Sequence, residues 1–500
     1  MEYFVPAWHG KLMDWAYNVP HIQFYDAINQ MRVLQDNGKK IGMIIPNYQP
    51  QLSSKLNQLV FNPDYQFSIY DYLQGIDQTS NQVLDYTDFN WPEDAYFDFT
   101  PFRIMVMAKN RLYAQITFDN DGKILSVIYF DENKQPKHTL TIDSRGFVSS
   151  EESNDEITYF DQIGHWRFKY NRQTDQVDLN PLFNPCKQDH YLHLSDLISE
   201  VFNSQVLPKI KPEDYLIASL DDQSVLPVKV FEQLPTIFSA SRWNKYTHSL
   251  LEVEGGRLIA DSQATADRVV GLVDDRFDIT IMPPFQTQFK LGHSQRSKRQ
   301  IIGVFAEYMS YKELKEITDM LYQRLMSNPT GEGVKFLTYS SDQDHLVDQV
   351  IEELKTERNG EFTMGKNKED PDEVKLESEK KLPHLSIKKE RLTSTAEVMR
   401  ALDKIRILIS WNDGDVFLEM AAISVGIPQL QNYETTTVID GKNGWNCSDL
   451  HELNEGLSYF LNNLSNWNRA LVYNVRTLNQ YSEDNLMKEW QKIFRDEDEA

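Results

Sequence analysis

The chain contains little cysteine and no long apolar run. Its 500 residues include two cysteines, Cys186 and Cys447, which are too few for a disulfide framework and fit a reducing compartment. No stretch reaches the roughly 20 continuous apolar residues that a membrane-spanning helix needs. The opening sequence, MEYFVPAWHG, has no basic region followed by an apolar core, so we expect no secretory signal peptide. These absences predict a soluble cytoplasmic protein.

Positive charge is also scarce. Lys and Arg number 51 against 75 Asp and Glu, which gives a formal net charge of −24 and a pI near 4.9. Bulk electrostatics therefore oppose binding to nucleic acid or to an anionic membrane surface. We expect no nucleic-acid partner, and peripheral association with a membrane only through partner proteins. The apolar fraction of 40% is enough for the cores of about three domains.

The sequence lacks the common signatures of metal, nucleotide and hydrolase sites. His190 and His193 are three residues apart, but no HExxH motif or cysteine pair accompanies them. There is no Gly-x-Ser-x-Gly elbow and no P-loop. We therefore interpret the two histidines as structural, and we predict no metal site and no cofactor.

The stretch from Ile405 to Trp445 has the clearest organisation. It opens with a β-branched apolar run, as in a strand buried in a parallel sheet. The polar segment 412–415 offers N-cap side chains and a glycine. Apolar residues then repeat at helical spacing until Gly426 and Pro428. A strand, a turn and a helix in this order predict a βαβ unit whose helix N-terminus favours phosphate.

This stretch resembles the donor-site signature of retaining glycosyltransferases with two Rossmann domains (the GT-B fold). The matching positions are Ser410, Gly414, Ala422, Gly426, Pro428, Asp440, Gly441, Asn443 and Gly444. Asp413 takes the place of the first glutamate of that signature, and Ala421 takes the place of the second. The resemblance implies that the second glutamate grips the ribose of the donor nucleotide, which an alanine cannot do. Glu419 lies two residues earlier, roughly 200° around the helix.

A second stretch extends the resemblance upstream. Residues 301–306 are similar to the first strand of the family's C-terminal Rossmann domain, which is followed by an arginine and a lysine that hold the donor diphosphate. Glu307 stands at the arginine position and Lys312 at the lysine position. A carboxylate beside a diphosphate is repulsive by several kcal/mol, as an order of magnitude. We therefore predict a vestigial donor site at Glu307, Lys312, Asp413, Gly414, Glu419, Ala421, Gly426 and Pro428, with no catalytic residue.

The predicted fold class is α/β and GT-B-like, with two Rossmann-type domains facing a cleft and an inserted antiparallel sheet. Strands that alternate polar and apolar residues, such as 112–118, 124–130 and 166–170, indicate the insertion. Its aromatic side chains suit a packed sheet face, and they would also suit a sugar or a protein partner. The predicted boundaries are 1–55 with 190–285 for the N-terminal Rossmann-like domain, 56–189 for the insertion, 295–480 for the C-terminal Rossmann-like domain, and 481–500 for a helix crossing back with an acidic tail.

Across the whole chain, the closest resemblance is to the Asp-one family of accessory Sec system proteins. It rests on the opening VPAWH, the helix FYDAINQ, the inserted meander and the degenerate signature. The resemblance implies a non-catalytic, transferase-like protein in the cytoplasm. It also implies assembly with two companion accessory secretory proteins and the accessory SecA motor, for export of a glycosylated serine-rich-repeat adhesin.

Two other hypotheses stay open from the sequence. The chain could be an active retaining glycosyltransferase that adds N-acetylglucosamine to a serine-rich adhesin, which requires Glu419 to reach the ribose. It could also be the substrate-recognition subunit of such an enzyme, binding through the meander. The third and favoured hypothesis is the export component, because Glu307 and Ala421 replace the two donor-binding residues.

Overall fold

The computed structural model describes residues 1–8, 22–76, 82–100, 103–119, 122–242, 244–284, 290–364, 382–393 and 395–494. These residues form two compact units. Unit 1 comprises Met1–Asp261 and Thr265–Ile281, and unit 2 comprises Met282–Arg495 with Ser262–Ala264.

Unit 1 combines a parallel sheet with an antiparallel one. In chain order its elements are β1 (Glu2–Val5), α1 (Ile22–Asp36), β2 (Ile41–Ile45), α2 (Leu52–Gln58), β3 (Tyr65–Ser68), α3 (Ile69–Gln74), β4 (Tyr96–Phe99), β5 (Arg103–Ala108), β6 (Arg111–Phe118), β7 (Ile124–Phe130), β8 (Pro136–Asp143), β9 (Phe147–Ser153), β10 (Glu156–Phe160), β11 (Trp166–Asn171), β12 (Val177–Leu179), β13 (His190–Tyr191), α4 (Leu194–Val201), β14 (Tyr215–Ser219), β15 (Thr236–Ala240), α5 (Thr247–Glu252), β16 (Gly256–Ala260), α6 (Gln263–Val273) and β17 (Phe277–Ile281).

The parallel sheet of unit 1 is doubly wound. Its seven described strands lie in the order β17-β16-β15-β14-β1-β2-β3, which is the Rossmann order 3-2-1-4-5-6 with one strand added at the edge. At its far edge, β17 pairs with β16 in parallel. Residues 65–74, which lie inside the predicted insertion, form β3 and α3 beside β2. The domain boundaries themselves stay predictions.

The antiparallel sheet is a meander that runs from β4 to β13 in chain order. Four of its turns begin with an aspartate whose side chain accepts backbone N–H groups two or four residues ahead, as Asp131 does from Asn133 and Gln135 at 2.8 Å. The fourth residue of each turn has a positive φ, for example Lys134 at 62° and Gly164 at 88°. These turns fix the register of the strands. Between β6 and β7 the sequence Asn-Asp-Gly predicts a hairpin turn, and its residues 120–121 lie outside the described residues.

The two ends of the meander pack differently. Strands β10–β13 contribute Tyr159, Phe168 and other side chains to the core that they share with the parallel sheet. Strands β5–β8 enclose a second core, rimmed by half-buried aromatic residues that include Trp91 and Tyr129. A buried ion-pair cluster ties the meander to α3: the Arg145 guanidinium lies 2.8 Å from Asp143 and 2.9 Å from Asp71.

Unit 2 is a second doubly wound domain. Its elements are β18 (Gln300–Phe305), α7 (Tyr311–Ser327), β19 (Glu332–Thr338), α8 (Ser341–Glu357), β20 (Thr363–Met364), β21 (His384–Leu385), β22 (Ile387–Arg391), α9 (Thr395–Leu402), β23 (Ile405–Ser410), α10 (Val416–Val425), β24 (Gln429–Gln431), β25 (Gly444–Asn446), α11 (Leu450–Leu461), α12 (Leu464–Gln480) and α13 (Glu483–Phe494). Among the described strands, six form a parallel sheet in the order β22-β19-β18-β23-β24-β25, again 3-2-1-4-5-6.

The predicted strand 301–306 and the predicted strand, turn and helix after Ile405 form β18, β23 and α10. The two parallel sheets with an antiparallel sheet confirm the α/β class. The strand β22 was not predicted, because four of its five residues, Ile-Lys-Lys-Glu-Arg, are charged. The sequence also predicts a surface loop over the charge-dense stretch Thr356–Lys381 and a capping box of Ser394 and Glu397. Residues 365–381 of that stretch, Ser394 and the acidic tail 496–499 lie outside the described residues. Among those that are described, no helix is both long enough and apolar enough to cross a membrane.

Candidate functional site

The unit 2 sheet changes winding direction between β18 and β23, which pair in parallel. In doubly wound sheets, ligands bind beside the carboxyl ends of the strands at this switch point. Here that edge consists of residues 306–312, which follow β18, and residues 411–415, which follow β23. We call it the switch-point edge. The predicted vestigial donor site lies on it and on the adjoining helix α10.

The N-terminus of α10 is capped by a carboxylate of the chain itself. Asp415 is the N-cap residue, and its Oδ1 accepts the backbone N–H of Leu418 at 2.7 Å and the hydroxyl of Tyr339 at 3.0 Å. Only 1% of Asp415 is exposed. A helix N-terminus in this position commonly binds the phosphate of a ligand. In this protein an internal, buried carboxylate fills that position.

The carboxylate of Glu307 has a similar role at the N-terminus of helix α8. Its Oε2 accepts the backbone N–H groups of Tyr339 at 2.7 Å and Ser340 at 3.1 Å, and Ser340 is the N-cap residue of α8. A carboxylate is favourable at a helix N-terminus because of the helix dipole and the free N–H groups. Glu307 therefore stabilises the turn between β19 and α8.

Glu419 lies on α10 with 4% exposure. Its Oε2 accepts the Thr437 hydroxyl at 2.7 Å, and its Oε1 accepts the Tyr433 hydroxyl at 3.2 Å. Burial, and then the neighbouring Glu419 carboxylate, raises the pKa of Tyr433 well above its ordinary value. A Cβ on Gly414 would lie 2.1 Å from Glu419 Oε1. The glycine therefore leaves room for the hydrogen bond between Glu419 and Tyr433.

The other matched positions on and after α10 serve packing and chain direction. Ala421 has 4% exposure and lies in an apolar cluster that includes Leu418 and Val425. Gly426 has a φ of 82° and forms the left-handed C-cap of α10, which glycine adopts without strain. The carbonyl of Pro428 accepts the backbone N–H of Leu408 at 3.1 Å.

Two of the predicted positions remain open to solvent. The side chain of Lys312 is 83% exposed, and its Nζ lies 3.8 Å from Glu316. Asp413 is exposed, and its Oδ1 accepts the backbone N–H of Gly414 at 2.9 Å. An open cavity of about 400 Å³ beside Lys312 is lined by Ser310, Lys312, Glu313, Glu316, Ile317, Trp411, Asp449 and Leu450. With three carboxylates and one ammonium group, this lining repels a diphosphate.

The Asp-Gly-Lys-Asn-Gly segment, residues 440–444, forms a closed structural turn. The buried Asn443 side chain donates to the Thr437 carbonyl and to Asn474 Oδ1 on α12, both at 2.9 Å. Its Oδ1 accepts the backbone N–H of Ile439 at 2.8 Å. A Cβ on Gly444 would lie 2.3 Å from the carbonyl oxygen of Gln429. The residues of this sequence signature therefore serve the backbone geometry of the turn.

The structure thus places Glu307, Gly414, Glu419 and Ala421 within one closed region of unit 2, whereas Lys312 points to solvent. Sequence reasoning missed Tyr339, Tyr433 and Thr437, which satisfy the buried carboxylates. No local pattern could have found Tyr433 and Thr437, because they reach Glu419 from 14 and 18 residues away. In the described residues, no group of three His, Cys, Asp or Glu side chains is arranged to hold a metal ion.

The sequence matches a protein family along almost its whole length. The family described as accessory Sec system protein Asp-one matches residues 1–497. A relative of that name from Staphylococcus aureus (strain NCTC 8325 / PS 47) is 24% identical over 534 residues and covers 100% of both chains. A relative of the same name from Streptococcus gordonii is 24% identical over 543 residues, with 99% of each chain covered.

Solved structures share the fold over the same length. A chain of the glycosylation associate protein (Gap123) complex from Streptococcus agalactiae has a TM-score of 0.77 at 23% identity, covering 98% of this chain and 99% of that one. A chain of the accessory secretory protein 1, 2 and 3 structure from Streptococcus pneumoniae has a TM-score of 0.76 at 21% identity, with 99% and 98% covered. The pneumococcal O-GlcNAc transferase GtfA, solved with UDP and GlcNAc, has a TM-score of 0.60 at 11% identity, with 98% of each chain covered. These likenesses confirm the predicted GT-B-like fold class.

Proposed function

The chain belongs to the Asp-one family of accessory Sec system proteins, and from that premise we propose that it is a non-catalytic component of an accessory Sec export complex. Two of the structurally similar chains come from complexes of such proteins. On the proposal, this chain assembles with two companion accessory secretory proteins. Together with the accessory SecA motor they deliver a glycosylated serine-rich-repeat adhesin for export. The protein acts in the cytoplasm and is recruited to the inner face of the membrane by the export machinery.

The main support for the proposal is that carboxylates of the chain itself occupy the helix N-termini at the predicted donor site. Asp415 and Glu307 occupy the N-termini of α10 and α8 with buried or half-buried carboxylates. A donor diphosphate at this edge would have to displace them and lose their hydrogen bonds. Each displaced charged acceptor costs roughly 1 to 3 kcal/mol. The fold of a transferase is retained, while its donor position is saturated by the chain.

The position of Glu419 weighs against an active transferase. That hypothesis requires the Glu419 carboxylate to hydrogen-bond a ribose. Both of its oxygens already accept hydroxyl groups of the chain, from Tyr433 and Thr437. Ala421, at the family position of the ribose-binding glutamate, packs in an apolar cluster. Glu419 is therefore engaged within the chain at both oxygens, and Ala421 has no side-chain acceptor.

The test joins a donor titration to an assembly assay on the same preparation. The purified chain is titrated with UDP and UDP-N-acetylglucosamine while nucleotide release is followed, and a homologous active transferase serves as the positive control. We expect no saturable binding at about 1 mM donor, which is at or above typical substrate affinities, and no release.

Mixed with its two companions, the chain should form a stable complex by size-exclusion chromatography with light scattering. Donor turnover that Glu419→Gln abolishes would establish the transferase instead, and a chain that stays monomeric would contradict the assembly role.

A second candidate function is recognition of the adhesin through the meander. It is favoured by Tyr96 and Phe99 of the edge strand β4, which are 54% and 61% exposed. Exposed aromatic residues on an unpaired strand edge suit a polypeptide or a sugar. The double variant Tyr96→Ser and Phe99→Ser should then weaken adhesin binding by tenfold or so without changing the assembly with the companions. Unchanged adhesin binding would remove this candidate.

A further inference from the structure

The opposite edge of the unit 2 sheet, where β18 and β23 begin, carries a cluster of cations. These strands start side by side, with Ile301 paired to Ile405. The residues that precede or open them are rich in positive charge, in a chain whose formal net charge is −24. We call this the basic edge, and its cations are Arg296, Lys298, Arg299, Lys404 and Arg406.

Arg406 is the buried member of the cluster. It is 6% exposed, and its guanidinium lies 5.1 Å above the ring of Trp467. Trp467 is fixed in turn, because its indole N–H donates to the Arg406 carbonyl at 2.8 Å. Nε and Nη1 of Arg406 have no hydrogen-bond partner among the described residues. A buried donor without an acceptor is unfavourable, and burial lowers the pKa of this guanidinium.

The other cations of the basic edge, which precede β18 and β23, are also without acidic partners among the described residues. The short turn Ser294–Arg296 lies against β23, and Lys404 directly precedes that strand; both Arg296 and Lys404 are exposed. Within the described ranges, neither they nor Lys298 forms an ion pair. The neighbouring carboxylate of Asp403 is occupied by His293, whose Nδ1 lies 2.7 Å away.

Arg324 gives a comparison within unit 2 for a guanidinium that is paired. It lies on α7, its side chain is 11% exposed, and it makes a bidentate pair with Glu332 at the start of β19, with N–O distances of 2.6 and 2.9 Å. Buried arginines in folded proteins are normally paired in this way. Arg406, more deeply buried than Arg324, lacks such an acceptor. The basic edge therefore has the donors of an anion site and no anion from the described chain.

We propose that the basic edge binds a phosphate group, held by the guanidinium of Arg406 and attracted by the exposed cations around it. A guanidinium donates two parallel N–H bonds to a phosphate, which matches its fork geometry. A phosphate dianion is attracted more strongly than a carboxylate because it carries more charge. A long polyanion is disfavoured because the rest of the chain is acidic. The phosphate can belong to a soluble compound or to a lipid headgroup, and the experiment distinguishes these sources.

The first arm uses the full-length chain and inorganic pyrophosphate, followed by calorimetry at low ionic strength. We expect saturable binding that weakens as NaCl is raised, because the exposed cations are screened. Arg406→Met keeps the apolar stem and should lower the affinity at least about tenfold. The exposed pair Arg296→Gln with Lys298→Gln should lower it about threefold and leaves the core untouched. This pair keeps the proposal testable if Arg406→Met does not fold.

Matched controls lie at the other edge of the same sheet. Arg391 is an exposed arginine at the carboxyl end of β22, and Lys312 is the exposed lysine of the switch-point edge. Arg391→Gln and Lys312→Gln should bind pyrophosphate as the parent chain does. No saturation by about 10 mM pyrophosphate, a concentration far above the Kd of a specific site, would overturn the proposal. So would a loss of binding in Lys312→Gln with none in the basic-edge variants.

The second arm identifies the source of the phosphate. Vesicles of phosphatidylcholine, with and without phosphatidylglycerol, are sedimented with the parent chain and the Arg296→Gln, Lys298→Gln variant. Co-sedimentation that needs both phosphatidylglycerol and the two cations assigns the site to a headgroup. Pyrophosphate binding without co-sedimentation assigns it to a soluble phosphate compound. If Arg406→Met and the Arg296→Gln, Lys298→Gln variant both bind pyrophosphate as the parent chain does, Arg406 is a packing residue and the proposal is wrong.

Discussion

The two edges of the unit 2 sheet differ in how their charges are satisfied. At the switch-point edge, Asp415, Glu307 and Glu419 each accept hydrogen bonds from the chain. At the basic edge, Arg406 has two N–H groups without an acceptor in the described residues. In doubly wound folds the first of these edges is the usual ligand site. Here the usual site is saturated and the opposite edge is not, so fold class alone does not tell which edge binds a ligand.

The largest effect should come from restoring the ribose-binding glutamate. Ala421→Glu places a carboxylate in the apolar cluster around Leu418 and Val425, and a buried, unpaired charge destabilises by about 3 kcal/mol or more. Ala421→Gln, which has the same length without the charge, should cost less. Urea unfolding of both variants measures this difference. A stable Ala421→Glu chain that binds UDP would mean that the donor site is still usable.

A smaller effect is expected in the 440–444 turn. Gly444→Ala would bring a Cβ within 2.3 Å of the Gln429 carbonyl, and the resulting shift should cost about 2 to 3 kcal/mol. The matched change is Gly441→Ala, where φ is 67° and the space around the Cβ is open. It should cost about 1 kcal/mol from backbone strain alone. If thermal unfolding shows the same loss of stability in both variants, the contact of the added Cβ with Gln429 does not account for the loss in Gly444→Ala.

Glu307→Arg restores the arginine of the active transferases and tests whether the switch-point edge can be reopened. The variant loses the acceptor for the N–H groups of Tyr339 and Ser340, so we expect about 2 kcal/mol of destabilisation. It also places a cation at the N-terminus of α8, which is unfavourable. Glu307→Gln, which keeps one acceptor, should cost about half as much. Chemical unfolding gives the stabilities, and a UDP titration should show no binding to either variant.

The smallest effect concerns pH. Because burial and the nearby Glu419 raise the pKa of Tyr433 above its unfolded value of about 10, its neutral form is favoured by folding. The stability that this tyrosine contributes is complete below pH 10 or so and falls as the pH rises toward its folded pKa. Tyr433→Phe should therefore show a shallower loss of stability above about pH 10 than the parent chain. Parallel unfolding curves of the two chains across this range would contradict the assignment.

Local signals in the sequence were sufficient for much of the fold. The strand Ile124–Phe130 has the predicted bounds, and the predicted strand, turn and helix after Ile405 form β23 and α10, because their apolar periodicity coincides with clear turn and cap residues. β17 and β22 were not predicted, because edge strands are partly exposed and lack a continuous apolar run. The ten-strand meander was recognisable from alternation, although the aspartate turns that repeat along it went unnoticed.

The sequence by itself determined that this is a transferase-like fold, and it predicted altered chemistry at the donor site. The residues Glu307 and Ala421 can be recognised in the sequence as departures from the family pattern, because they fall inside motifs of fixed spacing. Only the tertiary structure decided how those positions are used. The hydroxyls of Tyr433 and Thr437 reach Glu419, and the backbone of Tyr339 reaches Glu307, from positions 14 to 32 residues away in the sequence. Whether a buried polar group is satisfied depends on contacts made when the chain folds, and spacing in the sequence does not encode them.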